Sequence, residues 1–564
     1  MMRTTAWEGR DGVGAVATWL VCAVMAAGGA FSVVADWHYK PYEYEAWMLQ
    51  RMRVENSRGI LHYGYPGPHL TLAAEPEAFY AEGNVDGYET VRGAPGVPPH
   101  RVLRAERQIP VEAKDGYYDL GHEDIGYVRV RCAQCPKLYV GESLAEMRNS
   151  DTNGFEQSTL MVRESCDGWR SDIPLALRYF RFDRPVTGVS FGAQSEPIMP
   201  QGAFVSGDAR TDRAWAIGAE TLRLCTRTFF LDAIKRDRLP WAGDLVVALY
   251  AQAYVFADPE PARRSLAVLG AADPKLGHVN GIGGNDLWWV IGHDVFQRYF
   301  GDAAFLKLHY PRIRARVEEL ASHEDASGFY ARNLGWNFMD WTDNDSHTLR
   351  SAITMQGIYY GALQAAVRLA RRQGDAESAQ RWAKRAERLK AAALAKGMDG
   401  TRHARIMAIV YDLVEGDEAR RLAKEIAADD LPPTITPYMS SFEVMALVKG
   451  GETAAARRKY EAVWGAMVDA GVGTFWESWS KDDKGDQVYG YYSRPFGRSL
   501  CHAWSSGPAF LFPMVFMGVR PTEDGWSKYE VKPDFADFAP NASIRVKTPA
   551  GLIEVKFEKG KREG

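Results

Sequence analysis

Hydrophobic and polar positions divide the chain into three stretches of different texture. From about 36 to 205, apolar and polar residues alternate over short runs, as in YVRVRC (127–132) and LALRYFRFD (175–183), with Gly, Pro and Asp between them. Period-two alternation predicts strands, and many short strands in series predict an N-terminal β-sandwich over 36–205. After Asp208 the period changes. Residues 208–225 place apolar side chains at helical spacing behind Asp208, a residue type suited to an N-cap. Helical patterns then follow near 242–257, 285–300, 302–321, 349–373, 376–397, 401–413, 416–427, 438–449, 451–470 and 499–517. Several begin on acidic or small polar residues (GDAAFLKL, GDAESAQRW, GDEARRLA, GETAAARRKY), which complement the positive end of the helix dipole.

Short connections between these helices imply antiparallel hairpins. About a dozen helices so arranged fit an open solenoid or a closed α/α toroid. No fixed-period motif repeats, and some connections are long and rich in Trp and Asp. Both features favour the toroid, where such loops gather at one end and form a pocket. It is expected over 206–518. The tail, 519–564, returns to strand alternation around Pro549-Ala-Gly551 and predicts a small C-terminal β-sandwich.

The first residues carry an address. Arg3 and Arg10 precede an apolar run from Val13 to Phe31, and Ser32-Val-Val-Ala35 supplies small residues for cleavage after Ala35. A signal peptide over 1–35 and a periplasmic or secreted mature chain are expected, with an uncleaved anchor as the alternative. No membrane association is expected after cleavage. Lys+Arg is 68 and Asp+Glu is 72. That balance lacks the basic excess of a nucleic-acid binder.

Aromatic content changes the picture further. The 17 Trp, 26 Tyr and 24 Phe residues offer flat apolar faces suited to a sugar ring, although most such residues are ordinarily core. Of the six cysteines, Cys22 falls in the signal, which leaves an odd number and argues against a disulfide framework, with a single bridge left open. Cys132-Ala-Gln-Cys135 has no second such pair and reads as a turn between two strands, not a zinc site.

Four constellations offer chemistry. Asp232-Ala-Ile-Lys235-Arg236-Asp237-Arg238-Leu-Pro240-Trp241-Ala-Gly243-Asp244 interleaves charges with apolar residues, the pattern of a cleft wall rather than a solvated loop. Thr474-Phe-Trp476-Glu477-Ser-Trp479 sets a carboxylate between two indoles, where desolvation would raise its pKa, and a loop Glu paired with an Arg is an equally open reading. Ser499-Leu-Cys-His502-Ala-Trp504-Ser-Ser-Gly-Pro508 places a His and a Trp at the start of the last predicted helix, where binding and a buried, satisfied His are equally open. Trp288, Trp289, Trp336, Asp340, Trp341, Asp343 and Asp345 occupy helix ends and a loop. Within the last group, DWTDND lacks the sixth-position Gly and closing Glu of a calcium loop, so no metal is expected. Two separated carboxylates among tryptophans suggest glycoside hydrolysis.

These segments together resemble the α-L-rhamnosidases of glycoside hydrolase family 78. Asp232, Arg236, Arg238, Trp241, Gly243 and Asp244 match that family's D-C-P-x-R-E-R-x-x-W-x-G-D signature, TFWE its base-bearing segment, and CHAWSSGP its closing H-x-W-S-x-G-P segment. YDLGHEDIGYVRV followed by LYVGESLAEMR is similar to the sandwich that precedes the barrel. The resemblance implies a multidomain, mainly α fold with an (α/α)6 catalytic toroid. It implies an exo-acting, inverting hydrolase of terminal α-L-rhamnose that needs no cofactor and takes a carbohydrate as its partner. Asp237 stands where the family has its general acid and Glu477 where it has its base. Asp232 and Asp244 stand where acidic residues hold the rhamnose hydroxyls. Arg236, Trp241, Trp289, Trp336, Trp341, Trp476, His502 and Trp504 complete the expected binding set.

This chain departs from the signature at Ala233-Ile234, where the family has Cys-Pro, and at Asp237, where it has Glu. The shorter acid withdraws the carboxyl by about 1.5 Å. Two alternatives follow: the same scaffold acting on another sugar or uronate, or a carbohydrate-binding homologue with impaired catalysis. No feature of the sequence specifies an oligomeric state.

Overall fold

The computed structural model describes residues 106–557 apart from 151–156, 158, 196–197, 228, 236–237, 239, 271–273, 275–277, 331–337, 341–354, 398–399, 429–433, 435, 492–493 and 534–540. Upstream it also describes an antiparallel sheet of Asn84–Val85 (β1), Tyr88–Val91 (β2) and His100–Leu103 (β3). The expected signal at 1–35 lies outside the described residues.

The N-terminal part is an eight-stranded antiparallel sheet: Arg107–Ile109 (β4), Glu112–Lys114 (β5), Tyr117–Arg131 (β6), Leu138–Gly141 (β7), Met161–Arg163 (β8), Gly168–Ser171 (β9), Leu175–Phe182 (β10) and Thr187–Ala193 (β11). Its main path runs β4-β11-β6-β10-β7. The Cys132–Cys135 turn therefore joins β6 and β7, which have β10 between them. Val128, Leu138, Leu175, Leu177, Phe180 and Phe191 form the core of this sheet. Strand β6 is buried without a break from Glu123 to Val128, because its other face is covered too. Ile125 and Ala176 pack there against Leu224, Cys225, Ile234, Cys501 and Ala503 of the helical part. A short helix, Leu144–Arg148 (α1), follows β7; Ser143 caps it by accepting from the Glu146 N–H.

The helical part opens with Ala209–Cys225 (α2), whose N-cap Asp208 accepts from the Thr211 N–H. It continues through Ala242–Val255 (α3), Glu260–Leu269 (α4), Gly283–Phe300 (α5), Ala303–Ser322 (α6), Gln356–Arg372 (α7), Ala376–Lys396 (α8), Arg402–Val410 (α9), Gly416–Ala427 (α10), Pro437–Lys449 (α11) and Thr453–Tyr460 (α12), with a π turn over Glu461–Gly465 leading into Ala466–Asp469 (α13). Burial alternates along the series. Helix α5 buries every residue except Arg298, whereas α10 buries only Ala419, Leu422, Ala423 and Ile426, one stripe at helical spacing. Fully buried helices beside one-sided ones make a double layer of helical hairpins.

Two segments differ from the sequence expectation. Helix α4 was not anticipated, because Asp258-Pro-Glu-Pro261 reads as a loop. Pro261 stands in the first turn, where a missing N–H costs nothing, and the Arg263 N–H donates to the Pro259 carbonyl. Conversely, no continuous helix forms over 499–517. The His502 main chain is extended, Ala503–Ser505 is a 3-10 turn, Pro508–Phe510 is one α-helical turn, and Leu511–Phe516 is a π turn. Pro508 can only begin a helix, and Pro513 lacks the N–H that a regular interior needs.

The C-terminal residues contribute strands to two small sheets. Val519–Pro521 (β13) pairs with Tyr529–Val531 (β14), and Ser543–Thr548 (β15) forms a hairpin with Gly551–Lys556 (β16). Ala203–Val205 (β12), placed by sequence in the N-terminal domain, pairs with β15 instead. Ile544 and Val546 insert into the main helical core.

Candidate active site

Three segments meet where the sheet abuts the helices. The extended chain around Ser499–Ala503 lies between the other two. On one side the His502 N–H donates to the Phe475 carbonyl (3.0 Å) and the Glu477 N–H to the Ser499 carbonyl (2.9 Å). On the other, the Ala503 N–H donates to the Asp232 carbonyl (2.6 Å), and Ala233 and His502 form an isolated β-bridge. Short-range backbone bonds thus unite Asp232 with Glu477, which are 245 positions apart in sequence (477 − 232). The expected helical setting of His502 is corrected here: its main chain is extended, and bonds from His502 and Ala503 reach the segments on either side.

The Glu477 side chain is buried, and its Oε2 accepts from the Ser499 N–H at 3.1 Å. Its carbonyl accepts from the Trp504 indole N–H at 2.9 Å. Trp504 is stacked between His502 (ring centroids 4.2 Å apart) and Tyr438 (5.3 Å). The half-buried rings of Trp476 and Trp479 lie 5.5 Å apart, with Tyr489 beyond Trp476 at 5.8 Å. These contacts bring together Asp232, Glu477, Trp476, His502 and Trp504.

Asp244 is on the first turn of α3, with Oδ1 3.7 Å from His502 Nδ1. Trp241, half-buried against the core, is the N-cap residue of that helix but makes no side-chain cap. Asn280 supplies what is missing: its Oδ1 accepts from the Ala242 N–H (3.2 Å) while its Nδ2 donates to the Pro240 carbonyl (3.0 Å). A Cβ on Gly243 would lie 2.9 Å from the Tyr438 hydroxyl, so glycine is what admits Tyr438 here. Burial first, and then the negative charges of Asp244 and Asp340, with Tyr411 between them in effect, hold that hydroxyl well above the ordinary tyrosine range.

Two cations of the first constellation, Lys235 and Arg238, turn toward the N-terminal part. Lys235 Nζ is 3.2 Å from Glu142 Oε2 and 3.1 Å from Glu146 Oε1, and donates to the carbonyls of Phe496 (2.8 Å) and Arg498 (3.1 Å). Arg238, at φ 53°, donates to the carbonyls of Ile234 and Pro174 and to Gln157 Oε1.

Trp289 is a correction. Its indole is buried, donates to the Leu266 carbonyl of α4 (2.9 Å) and meets His293 edge-on, so it faces the neighbouring hairpin and not the carboxylates. Trp288, about 100° around α5, is the one that packs near Gly243, Tyr438 and Phe442. Arg236, Asp237, Trp336 and Trp341 lie outside the described residues. Asp340, singled out by sequence, has partners that the sequence did not reveal: it is 2.9 Å from His403 Nε2 and accepts from Thr436 Oγ1 at 2.5 Å. Among the described residues, no group of three or more His, Cys, Asp or Glu is placed to hold a metal ion.

Helical hairpins in a double layer, with carboxylates and indoles brought together by the segments at 232–244, 474–479 and 499–504, are the setting in which a family model identifies a six-hairpin glycosidase domain. The model of the bacterial alpha-L-rhamnosidase 6 hairpin glycosidase domain matches residues 200–515, more than half of the chain, and the chain belongs to that family. Similar solved structures include the family 78 rhamnosidase of Bacillus sp. GL1 (TM-score 0.65, 21% identity, covering 81% of this chain and 54% of that one). A rhamnosidase from Klebsiella oxytoca with rhamnose bound gives 0.62 and 22%, covering 77% and 95%. The Streptomyces avermitilis α-L-rhamnosidase complexed with L-rhamnose gives 0.66 and 19%, covering 84% and 49%. The chain spans about half the length of the Bacillus and Streptomyces proteins. Among curated proteins, none matches.

Proposed function

We propose that the chain is an exo-acting, inverting glycoside hydrolase that releases terminal α-L-rhamnose from glycosides or polysaccharides. The observation that carries this reading is Glu477: a buried carboxylate oriented by the Ser499 N–H, among indoles, on a strand that also binds the Asp232 segment. Glu477 is the base that takes a proton from the attacking water, and Asp237 the acid that protonates the leaving oxygen. An inverting pair stands about 6.5–9.5 Å apart to admit that water. Asp232 and Asp244 hold the sugar hydroxyls. The stacked His502–Trp504 pair and Trp476 offer apolar faces, while Arg236, Trp241, Trp336 and Trp341 complete the pocket. The alternation of buried and one-sided helices is read as a closed (α/α)6 toroid, and the mature chain as exported after cleavage at Ala35. Membrane and nucleic acid are not among its partners.

Hydrolysis of an aryl α-L-rhamnoside, measured against a panel of other glycosides, tests the substrate. NMR of the first-formed sugar anomer tests inversion. The shortened acid favours a second reading, a sugar-binding homologue without turnover; rhamnose binding with no hydrolysis of any glycoside would establish it. Asp237→Asn tests the acid. Aryl glycosides with good leaving groups need little protonation and should be spared, whereas poor leaving groups should not be cleaved. Equal losses on both would assign Asp237 to sugar positioning alone.

A further inference from the structure

The N-terminal part sends three carboxylates into the seam beneath the site. Glu123 is on β6, Glu142 follows β7, and Glu146 is in α1; all three are buried. Facing them is one cation, Lys235, whose side chain is 1% exposed. The group touches every segment that builds the site. Lys235 belongs to the Asp232 segment. Glu142 Oε2 accepts from the Leu500 N–H at 2.8 Å, one residue from the Ser499 N–H that orients Glu477. Thr474 Oγ1, three residues before Glu477, is 3.0 Å from Glu123 Oε2 and 2.7 Å from the Leu500 carbonyl. One hydroxyl proton cannot serve both acceptors, so a protonated Glu123 completes the pair. Its burial and the neighbouring Glu142 both favour that proton.

Such a group is costly unless its partners are satisfied, and a well-packed apolar seam would do as well for stability alone. What it provides is registration. Directional bonds to Lys235, Leu500 and Thr474 fix three loops against β6 and the β7–α1 connection. We propose that Glu123, Glu142 and Lys235 are positioning residues that act through Glu477, locking the loops that carry the catalytic and sugar-binding carboxylates to the N-terminal sheet. This inference rests on the hydrolase reading, and it makes the N-terminal sheet part of the catalytic apparatus.

The test is made on the full chain. Glu142→Gln or Lys235→Met alone strands a buried charge and threatens folding, so the decisive variant is the charge-neutral double, Glu142→Gln with Lys235→Met. On an aryl α-L-rhamnoside, kcat of the double variant should fall about 10- to 100-fold, as expected for a misplacement near 1 Å, while KM changes less than about threefold. In a Glu477→Gln background the same double change should cost nothing further, because the group through which it acts is already gone. Wild-type kcat in the double variant, a loss confined to KM, or a loss that adds fully to that of Glu477→Gln would each overturn the proposal. A wild-type chain inactive on every glycoside would instead overturn the hydrolase reading. Registration is then read from amide hydrogen exchange over 474–477 and 499–503: faster exchange there in the double variant supports it, and unchanged exchange refutes it.

Discussion

Glu477 and Ser499 are joined twice: the Glu477 N–H donates to the Ser499 carbonyl at 2.9 Å, and the Ser499 N–H donates to the Glu477 carboxylate at 3.1 Å. The main-chain bond sets the loop and the side-chain bond sets the carboxylate. A glutamine can be held in the same way, since its Oε1 accepts the same N–H. If Glu477 is the base proposed above, Glu477→Gln should therefore keep sugar affinity while kcat falls about 10²–10⁴-fold. Retention of more than about a tenth of wild-type turnover would remove Glu477 from that role.

Gly243 and Tyr438 make a second, steric prediction. The added methyl of Gly243→Ala would meet a hydroxyl 2.9 Å away on a ring that cannot retreat, because Tyr438 is buried against Trp504, Trp288 and Phe442. The change should cost about 1–3 kcal/mol, as overpacking does. Tyr438→Phe removes the obstructing oxygen, so the double variant should recover a large part of that loss in denaturant unfolding. An unrecovered loss would place the strain elsewhere on α3.

Trp289 shows where sequence reasoning reached its limit. Two adjacent tryptophans on a helix point about 100° apart, and nothing local says which side faces the pocket. The answer depends on α4, the one helix the sequence hid behind two prolines, whose Leu266 carbonyl takes the Trp289 N–H. Period and capping residues were enough to place α2, α8 and α10, because their signals lie within each helix. The strand at Ser499–His502 was read as helix for the opposite reason: its partners, Phe475 and Asp232, are distant in sequence. The pairing of Asp340 with His403 was passed over on the same ground, since a buried pair 63 positions apart leaves no local pattern. Trp289→Phe should lower the melting temperature, at about 1–3 kcal/mol for the lost hydrogen bond and volume. Its KM should match that of wild type, and a raised KM would return the indole to the pocket.

The carboxylate group under the site also predicts how stability depends on pH. Burial, reinforced by the charge of Glu142, pushes Glu146 up to about 7 despite the opposing Lys235. A carboxyl whose native pKa lies above its ordinary value holds a proton that the unfolded chain has already released. Its contribution to stability is therefore complete below about pH 4.5 and is lost as pH rises through about 7. Glu123 shifts in the same direction, by burial first and then by Glu142. The melting temperature of the wild-type chain should accordingly decline between pH 5 and 8. Glu146→Gln carries no titrating proton and should flatten that decline, with a difference of at most about 3 kcal/mol across the interval. The comparison must be made between the two proteins at each pH, because other groups titrate in both. Parallel melting curves for wild type and Glu146→Gln over that range would mean that Glu146 stays ionised against Lys235, and that the seam holds a full salt bridge instead of a shared proton.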